Sequence, residues 1–217
     1  MLKKSLFIQL SMLLVLASIF SYYAAMIYLG SINPGYSHLT EYVSELGKPH
    51  LPSHGLLNSA LLFLGISFAC FAYALKQVFA DSEYARPASL WTFVFALTLF
   101  VEGLFPCEGT SCTEPSTFSG YMHIIAGLPA IFAAPLANYR IAQAVQSSPH
   151  FLHLAALLMW LAKLGIVAII ISVVIFPLLG LSGLGQRVGV AFIFSIPVIV
   201  AFKLLLSAPR DESLKHT

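Results

Sequence analysis

The chain has 217 residues, of which 59% are hydrophobic and 9% charged, against roughly 25% charged in an ordinary soluble domain. That balance excludes a soluble enzyme, and a net charge of +2 from scattered residues leaves no basic face for a nucleic acid. Several apolar runs reach the ~20 residues that cross a ~30 Å hydrocarbon core as a helix, and no period-2 alternation points to a barrel. The expected fold is all-α, a polytopic bundle forming a single transmembrane domain over residues 1–217.

The first span is expected over about 5–29. Lys3 and Lys4 imitate the start of a signal peptide, with cleavage near Ala24–Ala25 as the alternative reading. However, the run from Leu6 to Leu29 exceeds the roughly 7–15 residues of a signal core, so it reads as a retained helix. The longest polar interval follows, Ser31 to His54, with His38, His50, His54, Glu41 and Glu45. Ser37 is placed to cap a short helix, Gly47 to end it in the left-handed conformation and Pro49 to forbid its continuation. On such a helix His38, Glu41 and Glu45 share one face, and Tyr42, Val43 and Leu46 form an apolar one.

Further spans are expected over about 56–78, 89–105, 118–145, 154–179 and 186–206. Asn58 lies near the start of the second, Glu102 near the end of the third, and Pro129 and Pro135 inside the fourth. The turn GLSGLG, Gly180 to Gly185, precedes the sixth. Lys3, Lys4, Lys76, Arg86, Arg140, Lys203, Arg210 and Lys215 fall on one side of this six-span arrangement. The alternate loops carry Lys48 and Arg187. The positive-inside rule then makes both termini cytoplasmic and turns loops 31–54, 106–117 and 180–187 outward. A bacterial plasma membrane is the expected location, and membrane lipids are the expected partners.

Polar side chains collect at the outward end. Cys107 and Cys112 read as a disulfide in an oxidising compartment, with two free thiols as the alternative; a C-x₄-C alone supplies two of the four ligands of structural zinc. Glu102 reads as an acid that faces the bundle interior, structural or functional. His123 shares a helix face with Gly120 and Gly127, where a neighbour or ligand approaches closely. Gln186 and Arg187 follow the glycine-rich turn, where a helix N-terminus and a guanidinium suit an anion; pairing with an acid or snorkelling is the alternative. Lys163 reads as reaching the cytoplasmic headgroups. Glu41, Glu45, Glu102, Glu108, His123 and Arg187 are expected to converge at one outer mouth. They suit acid–base or metal-assisted hydrolysis, and equally the binding of a lipid headgroup. Ser44 beside Glu45 is a conceivable nucleophile without a G-x-S-x-G elbow. The sequence has no H-E-x-x-H, P-loop or dinucleotide fingerprint and no facing histidine pair, so neither haem nor nucleotide is expected; a metal ion stays open.

The segments Tyr42–Gly47 (YVSELG), Gly103–Pro106 (GLFP) with Glu108 after it, His123, and Gly185–Arg187 (GQR) resemble the membrane proteins of domain-of-unknown-function family 998. The resemblance covers nearly the whole chain and implies the six-span fold without an activity. That family more often places an aspartate after Phe-Pro, and Glu108 with its flanking cysteines departs from the pattern. Fainter likenesses are to the Frag1/DRAM/Sfk1 six-span proteins and to alkaline ceramidase-type hydrolases, whose paired H-x-x-x-H on the helices is missing from the spans here. Three functions are therefore carried forward. The first is an outward-facing pocket for a lipid headgroup or small amphiphile, with Glu41, Ser44, Glu108, Gln186 and Arg187 in contact with it. The second is a membrane-embedded hydrolase built on His123 with Glu45 or Glu102. The third is a small transporter, disfavoured by the scarcity of inner polar residues beyond Asn138, Arg140 and Lys163.

Overall fold

Hydrocarbon offers no partner to a peptide N–H, so each long apolar run must close its backbone hydrogen bonds within itself, and here each does so as a helix. A computed structural model of the chain describes residues 2–109 and 112–207. It contains α1 (Leu2–Ile32), a 3₁₀ turn (Val43–Gly47), α2 (Gly55–Val78), α3 (Ala85–Leu104) and α4 (Phe118–Ala144). These are followed by α5 (Leu152–Ile170), a π turn (Ile171–Ile175), α6 (Phe176–Leu178) and α7 (Ser182–Leu206). Six segments are long and apolar enough to cross a membrane, with α5, the π turn and α6 acting as the fifth. The chain is a multi-pass membrane protein.

Consecutive spans pack on one another, and α7 returns against α1, so the six form a closed ring. The α2–α3 hairpin is the tightest pair. A Cβ on Gly103 would lie 2.8 Å from the Leu62 nitrogen, and one on Gly65 2.8 Å from the Phe100 nitrogen, so only glycine permits this approach of the two backbones. Connections 33–54, 105–117 and 179–181 lie at one end of the ring, called here the site end; Lys76, Arg86, Arg140 and Lys203 mark the other. Arg210 and Lys215, which contribute to the expected charge bias, lie outside the described residues.

Several boundaries differ from those the sequence suggests. α3 begins at Ala85 rather than 89, because Pro87 occupies the first turn, where its missing N–H would have no intrahelical partner. α7 begins at Ser182 rather than 186: Gly183 lets the 38–41 backbone close against the helix, and Leu184 N–H donates to the Leu39 carbonyl at 2.9 Å. The fifth span widens into its π turn just ahead of Pro177, which has no N–H for the Val173 carbonyl and crowds it. Lys163 lays its ammonium over the Trp160 ring, 5.7 Å from the centroid, one turn toward the non-site end.

The largest correction is in the polar interval. No α-helix forms after Ser37; the segment makes turns and then the 3₁₀ turn, and Gly47 does not take positive φ. Ser37 Oγ still accepts from Leu39 and Thr40 N–H at 3.3 and 3.4 Å. Beyond it, the carbonyls of Leu39 and Glu41 and the N–H of Val43 bond to α7 instead of to one another. Tertiary partners thus replace the helical ladder.

Deep in the bundle, Pro197 leaves the Ile193 carbonyl without its helical donor. Buried Asn138 on α4 replaces it, donating at 2.9 Å. Asn138→Leu is expected to lower stability by about 1 kcal/mol, measured by reversible unfolding in mixed micelles. In that background Pro197→Ala, which returns an N–H to Ile193, should recover most of the loss. Strict additivity of the two substitutions would contradict this pairing.

Candidate functional site

The site end encloses a cavity of about 360 Å³. Its polar lining comes from Tyr22 on α1, Tyr42 and Ser44 in the first loop, Glu102 on α3, Thr113 in the second loop, His123 on α4, Ser172 in the π turn and Gln186 on α7. Leu61, Leu64, Phe95, Leu99, Ile131, Ile193 and Phe194 form apolar walls. Phe68 stacks edge-on against Phe95 at 5.4 Å and tilts against Phe194 at 5.8 Å, closing the floor. Beneath it, the gap beside Asn138 and Thr92 has ≈ 0 Å³ of room for water. Leu128 on α4 and Val173 in the π turn line the cavity while remaining 56% and 47% exposed. Accessible apolar surface thus adjoins the cavity on both the fourth and the fifth span.

His123 is positioned by Thr117, whose Oγ1 caps α4 by accepting from Gly120 N–H at 3.1 Å. Its Nδ1 lies 3.0 Å from the Phe105 carbonyl. A carbonyl only accepts, so Nδ1 carries the hydrogen, and in the neutral ring Nε2 is an acceptor. The imidazole thereby satisfies a carbonyl just past the end of α3. Glu102 faces α4 across Gly127, where a Cβ would sit 3.2 Å from its Oε1. Among the described residues its carboxylate has no hydrogen bond or ion pair. Ser44 Oγ donates to Cys112 Sγ at 3.3 Å, and Cys107 and Cys112 have Cα atoms 5.3 Å apart.

Arg187 is not part of the lining. Its Nη1 donates to the carbonyls of Glu41 (3.2 Å) and Gly183 (2.8 Å), and its Nη2 to Tyr36 Oη (2.6 Å) and His38 Nδ1 (2.8 Å). Burial pushes the Tyr36 phenol above its ordinary value, so it stays protonated and donates in turn to the Tyr42 carbonyl at 3.0 Å. The guanidinium, expected as an anion site, instead staples the first loop to α7 using neutral acceptors. Gln186 Oε1 assists by accepting from Val43 N–H at 2.5 Å.

Of the residues singled out in the sequence, Ser44, Glu102, Cys112, His123 and Gln186 meet at the cavity. Glu41, Glu45, Glu108 and Arg187 do not, and the single outer mouth expected for all the ionisable groups is not formed. Glu41 turns back to accept from Ser37 N–H at 2.6 Å. Glu45 pairs with Lys48 at 3.6 Å. Glu108 presents its backbone carbonyl to Gly120 outside the cavity. His38, Glu41 and Glu45 accordingly share no face. The sequence reading missed Tyr22, Tyr42, Thr113 and Ser172. Polar-tipped tyrosines in the middle of α1 and a serine five residues before Pro177 were the available signals for two of them.

Residues 16–205 match the family described as "Protein of unknown function (DUF998)", and the chain belongs to that family. No curated protein and no solved structure matches the chain.

The staple has a pH dependence. Burial, and then the charge of Arg187, lower the His38 imidazole below its ordinary value. The neutral ring is the form that accepts from Arg187, so its contribution is complete above about pH 6.5 and is lost as pH falls through the lowered value. Amide exchange over residues 36–47, corrected for intrinsic rates, should accelerate as the pH is lowered from about 6.5 through that value. His38→Gln should remove that dependence; an unchanged pH profile in this variant would contradict the role given to His38.

Proposed function

We propose that the chain is an integral membrane protein whose cavity binds the headgroup and adjoining chain of a lipid or small amphiphile. The observation that carries this reading is one cavity with two chemistries and a side entrance. Hydroxyl, amide, imidazole and carboxylate groups meet apolar walls there, and the exposed lining residues Leu128 and Val173 are read as the rim of that entrance, facing lipid. A bilayer molecule can reach Glu102 without crossing water. The volume of about 360 Å³ falls within the ~300–1,000 Å³ of small-molecule pockets.

In this reading the site end faces outward and both termini are cytoplasmic, in a bacterial plasma membrane. Support comes from the basic residues Lys76, Arg86, Arg140 and Lys203 at the opposite end. In that orientation the Cys107–Cys112 pair meets an oxidising compartment. We read it as a disulfide that holds Cys112 and Thr113 on the cavity rim.

One observation favours a catalytic alternative: Glu102 and the acceptor-bearing His123 line the same cavity, as general acid–base work requires. Glu45 is not available to it, being paired with Lys48. Nor does Ser44 direct its hydroxyl at an imidazole. A catalytic zinc takes about three protein ligands, and no group of three or more His, Cys, Asp or Glu is assembled among the described residues, so the residues present do not fit a zinc hydrolase. Transport would require a path through the aromatic floor.

Lipid extraction and mass spectrometry of the purified protein test the binding reading. Gly127→Leu, which projects into the cavity beside Glu102, should reduce a near-stoichiometric co-purifying amphiphile by about tenfold, equivalent to ~1.4 kcal/mol. Phe132→Ala, on the exposed outer surface of α4, should leave it unchanged. An identical lipid complement in wild type and Gly127→Leu would contradict the reading.

A further inference from the structure

We infer that the amphiphile accepted by this cavity carries a positive headgroup, a substituted ammonium, with Glu102 as its counter-charge; this rests on the binding reading above. Glu102 is the one Asp, Glu, Lys or Arg among the lining residues. The two cations of the site end are engaged elsewhere. Arg187 makes its four hydrogen bonds to the first loop, α7, Tyr36 and His38, and Lys48 pairs with Glu45 at 3.6 Å. His123 commits its Nδ1 hydrogen to the Phe105 carbonyl. An anionic headgroup entering here would meet a carboxylate and no guanidinium or ammonium. A cation would meet the carboxylate first.

The same inventory states the need of the protein. A carboxylate held in a low-dielectric site without a partner is costly, and a partner of opposite charge offsets that cost. No protein group among the described residues supplies one to Glu102. Gly127 keeps the space beside Oε1 open, since a Cβ there would stand 3.2 Å from that oxygen. Tyr22, Tyr42, Phe95 and Phe194 line the same cavity, and aromatic faces attract alkylated ammonium groups. Below the headgroup, the apolar walls suit a chain of methylenes.

The test uses the full chain in neutral maltoside micelles, with dodecyltrimethylammonium, dodecanol and dodecyl sulfate offered at equal concentration and adducts counted by native mass spectrometry. The ammonium should be retained at least about tenfold over the sulfate, equivalent to ~1.4 kcal/mol. Glu102→Gln should bring the ammonium down to the level of dodecanol, and Glu102→Asp should keep much of the preference. Gly127→Leu should displace all three probes. Equal retention of the three by wild type, or a preference untouched by Glu102→Gln, would overturn the charge assignment while leaving amphiphile binding in place. Retention of none would overturn the binding reading itself.

Discussion

The absence of water from the membrane interior is the constraint on which the rest of this structure depends. A backbone or side-chain polar group placed there must find its partner within the protein. The bundle meets that demand at recognisable points. Asn138 supplies the donor that Pro197 withholds from Ile193, and His123 takes the carbonyl of Phe105 just beyond α3. Where the fifth span meets Pro177, the helix widens into a π turn. Against this background Glu102 stands out. It lies in a span and borders a cavity, and the described residues leave its carboxylate without hydrogen bond or ion pair. The carboxylate is thus the place where the protein's own bonding is incomplete.

Arg187 determines how that incompleteness is read. A guanidinium near a helix start suggests an anion site, and had it faced the cavity, the electrostatics would favour a phosphate. Instead it is engaged by Glu41, Gly183, Tyr36 and His38, holding the first loop over α7. This staple brings Tyr42 and Ser44 to the cavity rim. It also keeps the Arg187 guanidinium, the one nearest the site among the described residues, out of the lining. One interaction therefore shapes both the lid of the site and the sign of its charge.

The six spans were legible because hydropathy and length alone demand them, and Glu102 and His123 stood out because ionisable groups within spans are rare. Ser44 and Gln186, also singled out in the sequence, line the same cavity. The first loop was not legible in detail. Ser37 and Gly47 have the local chemistry of helix ends, yet the backbone between them bonds to α7, a partner 140-odd residues away that no local rule can reveal. For the same reason the start of α7 was misplaced: Gly183, which reads as part of a turn, admits the 38–41 backbone. Glu41 and Glu45 were expected beside Glu102, but Ser37 N–H and Lys48 engage them outside the cavity, and Glu108 does not line it. Tyr22 and Ser172 were concealed by apolar runs whose inward faces cannot be assigned until the ring is closed.

The measurement that bears most directly on this account is an experimental structure of the protein in lipid nanodiscs, resolved well enough to show the Glu102 side chain. The account predicts elongated density in the cavity, with its polar end within hydrogen-bonding or ion-pairing distance of the Glu102 carboxylate and its tail toward the opening at Leu128 and Val173. A collapsed cavity in which Glu102 bonds to a protein donor would contradict it.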